Sequence, residues 1–367
     1  MRKIWRFFLI YGFSRTLVKV AGRTRWTFLK FFFKGFYVRK KRQISLIGCG
    51  QFGFSTISYF LQKEKGNCFL NCYDIDDNRA KTTADFWGFD ATGNIQDLID
   101  NPRCKYVYIA SDHYTHSQYA IEALNKGKIV YLEKPLAVTE LQFRELLKTI
   151  ENTRQPLYAG YNRPYSKAIQ KLTTYLMNKY KPITLSCFVS GHKIEVDHWY
   201  RDPKEGTRVC GNIGHWLDLS MHLFNKRGYM PCYYEINITQ SDSAEPDDNL
   251  TISYKTDYHD LVTITLTSRS EPFEGINETI NFQCDDIISK IDDFRNQQIW
   301  IDNKFHKYKY SPKDVGHKRS ILQPFMNDNR DWEEVVYSTC LMLKIKDMVL
   351  SQQNSCLYNI LEDIKSL

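Results

Sequence analysis

The tightest constraint on this chain is the run Ile44 to Ile47 followed by Gly48-Cys49-Gly50-Gln51-Phe52-Gly53. A short apolar strand pattern breaks into three glycines, opens a helical pattern that runs to about Lys65, and is answered by Asp74 at the end of a second strand, Cys68 to Tyr73. In that context Gly48 makes a tight turn, Gly50 lets the backbone approach a pyrophosphate, and Gly53 allows the helix to pack close to the strand. Cys49, Gln51 and Phe52 complete the loop, whose helix N-terminus meets the phosphate charge. These residues predict a dinucleotide site. Asp74 takes the ribose hydroxyls and repels a 2′-phosphate, and Ile75 rather than Arg follows it, which favours NAD over NADP.

The alternation continues with strands at Tyr106 to Ala110 and Ile129 to Leu132, and helices near His116 to Asn125 and from Thr139 to about Thr153. Strands alternating with helices imply a parallel sheet covered on both faces. This predicts an N-terminal Rossmann domain over 43–160. Beyond it the period becomes strand-like, at Ile183 to Ser190, Tyr233 to Gln240, Leu250 to Lys255, Leu261 to Ser268, Glu278 to Cys284 and Gln298 to Asp302. Apolar and polar residues alternate along these runs. That pattern predicts an open, mainly antiparallel sheet over 161–367 with a terminal helix at about 331–349, an α/β domain followed by an α+β domain. Asp247-Asp248-Asn249 and Ile291 to Arg295 read as turn and sheet-edge structure, and Asp314 to Lys318 as a loop.

With 367 residues, 43% hydrophobic and 25% charged, the chain has the composition of a two-domain globular protein, which excludes disordered, collagen-like and disulfide-scaffold classes. Of its 50 Lys and Arg, 13 fall in residues 1–42, and none of its 42 Asp and Glu does. This leader interleaves cations with aromatic bursts such as Phe31-Phe32-Phe33, and holds no uncharged run long enough to span a bilayer. It is expected to dock on an anionic membrane surface, the alternative being that its aromatics pack on the body or on a second subunit. Nucleic acid is not an expected partner, because the rest of the chain carries no comparable patch. The ten cysteines are scattered without metal-ligand spacing, which predicts a reducing, cytosolic setting, peripheral to the membrane, and no metal site.

Tyr131-Leu132-Glu133-Lys134-Pro135-Leu136, placed after a fifth strand, and Tyr161-Asn162-Arg163-Pro164-Tyr165 resemble the signature of the glucose-fructose oxidoreductase, inositol dehydrogenase and MocA family. The resemblance covers about 43–350. It implies that Lys134 sits near the nicotinamide and hydrogen-bonds the reacting hydroxyl, that Glu133 orients the ribose region, and that Ser111, His113 and His116 flank the cofactor. His198-Trp199 and the words leading to Gly214-His215-Trp216-Leu217-Asp218 are similar to one branch, in which His215 takes the place of the active-site general base. Tyr161, Arg163, His198, Trp199 and Asn212 are then substrate-pocket candidates, with Arg163 equally an interdomain ion-pair partner and Asp218 a structural carboxylate or an orienter of His215. The chain departs from the family at Gly211, where many members carry Asp.

The implied activity is NAD-dependent oxidation of a secondary alcohol on a sugar or cyclitol. The branch and the leader together suggest a nucleotide- or lipid-linked sugar of surface-polysaccharide assembly, handled by a homo-oligomer. Gly211 keeps open a non-catalytic sensor of NAD or a sugar nucleotide, and the leader a membrane-scaffold role.

Overall fold

Ile129–Leu132 reads Ile-Val-Tyr-Leu with no polar face, as strands buried on both sides do, and it lies in the middle of a sheet. The computed structural model describes residues 2–36, 39–242, 244–272 and 275–366; Met1, Tyr37 and Val38 of the leader, Leu367 of the second predicted domain, and Ser243, Phe273 and Glu274 lie outside the described residues. Two units are resolved, one comprising residues 7–160 and 318–329, the other residues 1–6, 161–317 and 330–367.

The first unit holds six strands: β1 Arg39–Ile47, β2 Asn67–Tyr73, β3 Asp90–Ala91, β4 Tyr106–Ile109, β5 Ile129–Leu132 and β6 Leu157–Ala159. All pair in parallel, in the order β3-β2-β1-β4-β5-β6. The order reverses between β1 and β4, so a crevice opens at the carboxyl ends of those strands. Helices at Ser58–Lys65, Asp77–Trp87, His116–Asn125 and Glu140–Thr153 connect them. Asp76 and Thr139 cap the second and fourth by accepting from backbone N–H groups. Residues 318–329 return to this sheet: Tyr108 donates to the Ile321 carbonyl at 2.8 Å and Gln323 to that of Ala159 at 2.8 Å.

The leader forms helices at Arg2–Tyr11 and Phe13–Thr24 and a 3-10 segment at Thr27–Phe36, and its last residues enter β1, which starts earlier than Ile44. Val18, Ala21, Leu29 and Phe33 are buried in one cluster with Phe54, Ile57, Phe86 and Trp87 of the first unit. Phe33 lies 5.8 Å, ring to ring, from both Phe86 and Trp87. The same segment leaves Trp5, Phe13, Trp26, Phe28, Phe31 and Phe32 exposed. Both of its sides are therefore apolar, one covered by the chain itself. Among the described residues no helix is long and apolar enough to cross a membrane.

The second unit is a nine-stranded sheet of β7 Ile183–Ser190, β8 Tyr233–Gln240, β9 Leu250–Thr256, β10 Leu261–Thr267, β11 Asn277–Cys284, β12 Ile287–Asp292, β13 Asn296–Ile301, β14 Lys304–Lys309 and β15 Ser355–Asn359. Its order is β14-β13-β12-β11-β7-β10-β9-β8-β15, antiparallel except for β7 with β10. One face is buried, as the strict burial alternation along β7 and β8 requires, and it is covered by helices at Lys167–Leu176, Gly214–Arg227 and Trp332–Leu350. Ile291 and Asp292 extend a hairpin strand, and only Asp293 to Arg295 form the turn expected there.

Candidate active site

At the carboxyl end of β1 the three glycines stand in three different surroundings. Gly48 has φ +91°, and a Cβ there would meet the Ala110 carbonyl oxygen at 2.3 Å; a Cβ on Gly53 would meet the Gly48 carbonyl oxygen at 2.1 Å. Neither position admits a side chain. A Cβ on Gly50 would meet nothing within 4 Å, so this residue offers open space where a pyrophosphate approaches a bare backbone. The chain after it winds as a π-helical turn, Gly53–Ile57, before the regular helix begins. Asp74 accepts from the Cys49 N–H at 2.6 Å and the Asp76 N–H at 2.9 Å, which leaves its carboxylate with further acceptor capacity for ribose hydroxyls. The donor set fits a dinucleotide.

The leader reaches this loop, which its composition did not disclose. Arg25 donates to the Cys49 carbonyl at 2.8 Å and to the Thr83 hydroxyl at 2.9 Å, and its guanidinium lies 4.8 Å from the Phe54 ring centroid. The Gln51 amide donates to the Lys19 carbonyl at 3.1 Å, and Gly22 brings the leader so close that a Cβ would meet Gln51 and Phe54 at 3.0 Å. Arg15 donates to the Ser55 carbonyl at 2.5 Å. The side chain of Gln51 therefore faces the leader rather than a ligand.

Lys134 follows β5, and because the sheet is parallel it stands at the same edge as Gly48. It is half-buried. Glu133 beside it is buried, accepts from the Tyr131 hydroxyl at 2.8 Å, and lies so near Gly160 that a Cβ there would meet its carboxyl at 2.7 Å. Burial pushes this carboxyl up to about 7, against the opposing pull of the Tyr131 hydroxyl and Lys134. Its oxygens are thus engaged within the unit, by the Tyr131 hydroxyl and the Lys134 N–H. His116 opens the His116–Asn125 helix, and its ring is engaged within the unit: its Nδ1 faces the Pro135 carbonyl at 2.7 Å and its Nε2 that of Ser111 at 3.0 Å. Burial lowers its pKa to about 4, against those two carbonyls, and a neutral ring, with a single N–H, donates to one of them. His113 is buried, and the Ser111 and Thr115 hydroxyls share a hydrogen bond of 2.8 Å.

In the sheet unit, Val209–Ile213 is a second π-helical turn, carrying Gly211 and Asn212, and His215 follows it at the start of the Gly214–Arg227 helix. Departures of this kind inside helices are frequent at functional sites. His215 is half-buried, with Tyr161 edge-on at 6.0 Å between ring centroids. Tyr161 is itself buried and donates to the Met342 sulfur at 3.7 Å, which makes it a wall behind His215. Arg163 is neither a free pocket cation nor an interdomain partner: Nε and Nη2 each lie 3.2 Å from a Glu278 oxygen, within the same unit, and Nη1 donates to Asn162 at 3.0 Å. Asp218 does not orient His215. Its oxygens accept from Arg330 at 3.0 and 2.8 Å and from Ser338 at 3.2 Å.

His198 and Trp199 lie on an exposed loop, their rings stacked at 5.8 Å. The loop is anchored by Arg201, which pairs with Glu245 and, at 2.9 Å, with Asp248. Buried Arg208 also reaches Asp248, at 2.9 Å, and directs its Nε to Asn212 at 3.4 Å. The triplet Glu245, Asp247, Asp248 is the one grouping of potential metal ligands among the described residues, and these two arginines pair with Glu245 and Asp248. Arg201 and Arg208 were missed by the sequence reading, since isolated arginines carry no spacing signal.

Residues 42–161 match the model of an oxidoreductase family with an NAD-binding Rossmann fold, Gfo/Idh/MocA. An inositol 2-dehydrogenase of Burkholderia ambifaria (strain MC40-6) is 29% identical over 133 residues, covering 35% of this chain and 40% of that one. A glucose-6-phosphate 3-dehydrogenase of Bacillus subtilis (strain 168) is 25% identical over 213 residues, 57% of this chain and 59% of its own length. The matches to these curated relatives thus span about two fifths to three fifths of their length. Among solved structures, GenD2 from gentamicin A biosynthesis, in complex with NAD, superposes with a TM-score of 0.72 at 14% identity, covering 88% of this chain and 97% of that one. This last likeness extends to both units and is one of fold.

Proposed function

We propose that this chain, whose residues 42–161 match the model of the Gfo/Idh/MocA oxidoreductase family, is an NAD-dependent dehydrogenase acting on a secondary alcohol of a sugar or cyclitol. The observation that carries the reading is the shared carboxyl edge of the parallel sheet. There the open backbone at Gly50, the Asp74 carboxylate and the Lys134 turn stand together on strands of one unit. The nicotinamide, when bound, supplies the hydride acceptor, and the protein supplies orientation and charge. Gly48, Gly50 and Gly53 hold the pyrophosphate, and Asp74 holds the ribose hydroxyls. Lys134 would place an ammonium at the reacting hydroxyl and stabilise the developing alkoxide, and the role of general base for His215 is carried by the family resemblance of its own segment. The surface-polysaccharide assignment, with a nucleotide- or lipid-linked sugar, is the finer part of the proposal and rests on the His198 to Leu219 resemblance.

The test is NADH formation with a panel of sugars and cyclitols, combined with binding of NAD by the Lys134→Met variant. Loss of at least about a hundredfold in kcat with NAD binding retained supports the assignment. Absence of turnover with every substrate, despite NAD binding, favours the sensor reading that Gly211 in place of Asp keeps open.

The proposal includes docking of residues 1–42 on an anionic membrane. Its support is the stretch from Phe13 to Lys34, where Phe13, Trp26, Phe28, Phe31 and Phe32 are exposed and so are Arg23, Lys30 and Lys34. Co-sedimentation with anionic vesicles that weakens as salt rises is the expected outcome.

A further inference from the structure

We propose that a basic cleft at the amino-terminal edge of the parallel sheet holds the phosphate of an anionic phospholipid headgroup. The cleft encloses about 880 Å³ and is lined by Lys41, Arg42, Arg103, Lys105 and Lys128 with five neutral residues and no carboxylate. Gln43 within β1 and Asn67 at the start of β2 stand on its wall, and Lys105 and Lys128 immediately precede β4 and β5. The dinucleotide loop, Asp74 and Lys134 follow the opposite ends of those strands, so the cleft is no part of the dinucleotide machinery.

Five cations without a counter-ion repel one another, and none of them forms an ion pair among the described residues. Lys128 is buried, and its ammonium donates to the Asn101 carbonyl at 3.2 Å and the Cys104 carbonyl at 3.0 Å, which fixes the charge in place and leaves one of three donors. Arg42 donates to the Gly88 carbonyl at 2.9 Å and keeps further donors. Such an arrangement fits a group with several acceptor oxygens and negative charge.

The source of that phosphate follows from what lies beside the cleft. Lys30 reaches the Asp85 carbonyl at 3.4 Å while Arg42 reaches that of Gly88, both at the carboxyl end of the Asp77–Trp87 helix. Exposed Phe31 and Phe32 flank the first contact and the cleft rim holds the second. An aromatic run that enters the headgroup layer and a cationic cleft that takes a phosphate therefore share one helix end, the two signals that stable surface anchoring needs. The inference rests on the reading of residues 1–42 as a membrane-docking segment and adds to it a headgroup site that the end of the segment, Lys41 and Arg42, shares with Arg103, Lys105 and Lys128.

The experiment compares the full-length protein with the Arg103→Glu/Lys105→Glu and Phe28→Ala/Phe31→Ala variants. Co-sedimentation is measured with phosphatidylcholine vesicles with and without phosphatidylglycerol, alongside the melting temperature and calorimetric titration with inorganic phosphate. Because each cation near such a surface is worth roughly fivefold, the charge variant should bind at least about twentyfold more weakly at an unchanged melting temperature. If only the aromatic variant loses binding, the cleft is overturned and the leader reading stands. If neither does, both fall. If the charge variant loses inorganic phosphate binding but sediments as the parent does, the site serves a soluble phosphate and the lipid assignment is overturned.

Discussion

Glu133 carries a charge that its surroundings oppose. Its carboxyl is pushed up to about 7 from an ordinary 4.5, so the fold prefers the protonated acid. That preference stabilises the fold fully below about pH 4.5 and is lost as pH rises through about 7. The swing amounts to about 3 kcal/mol at most, from ~1.4 kcal/mol per pKa unit. Glu133→Gln should therefore flatten the fall in melting temperature across that window and leave the variant more stable than the parent above pH 7. Parallel pH profiles for the two proteins would remove Glu133 from the account. Arg25 acts through the loop it holds. Arg25→Ala loses two hydrogen bonds, to Cys49 and Thr83, each worth about 1 kcal/mol, and should raise the KM for NAD by about fivefold or more with kcat unchanged. A fall in kcat at constant KM would contradict a positioning role. The motif Gly48 to Gly53 was legible because three backbone demands fall at fixed spacing. Arg25 was not, because nothing local separates it from the other twelve cations of the leader.

Among elements, those whose residues alternate against a core were legible and those without such a pattern were not. Tyr233–Gln240 and Ile129–Leu132 match their expected bounds, since one reads apolar-polar in strict turn and the other wholly apolar. The strand Lys304–Lys309, Lys-Phe-His-Lys-Tyr-Lys, lies at a sheet edge with no buried residue, so it gave no signal. The leader was half legible: its amphipathic character was visible, but not that Phe54, Phe86 and Trp87 would cover one side of it. A third group joins elements by burial. Asp218 and His222 of the Gly214–Arg227 helix meet Arg330 and Glu334, and Glu334 also accepts from Asn225 at 2.7 Å. Although burial opposes ionisation, Arg330 and His222 hold the Glu334 carboxyl well below its usual range. Arg330→Met strands two buried carboxylates and should cost about 3–5 kcal/mol in denaturant unfolding. A loss below about 1 kcal/mol would mean that the network is not ionic. Asp218 at three residues from His215 suggested an orienting carboxylate; the partner that claims it lies more than a hundred residues away, beyond any spacing argument.

At the scale of the whole molecule, the expected homo-oligomer is a proposal that the second sheet can test. Nine strands at about 4.8 Å spacing make a face roughly 40 Å wide. Helices cover one side. The other presents Phe188, Tyr233, Leu261, Ile288, Phe305 and Leu357, all exposed, among Thr184, Ser186, Thr263 and Thr265 and the charged Glu235, Lys255, Lys290 and Asp292. A sheet side that only had to meet water would carry fewer large apolar groups. It matches the mixed composition of an interface between copies, where about 800 Å² per partner suffices for a stable pair. The proposed homo-oligomer therefore predicts a mass by light scattering at a whole multiple of 43.4 kDa. Phe188→Lys/Leu261→Lys, two outward positions on the hydrogen-bonded strands β7 and β10, should return it to the single-chain mass by desolvating two unpaired charges in any such contact. Both residues already face outward, so the substitution leaves the core of the sheet unit intact and its melting temperature nearly unchanged. A single-chain mass for the parent protein would refute the assembly, and an unchanged multiple in the variant would move the contact to another face.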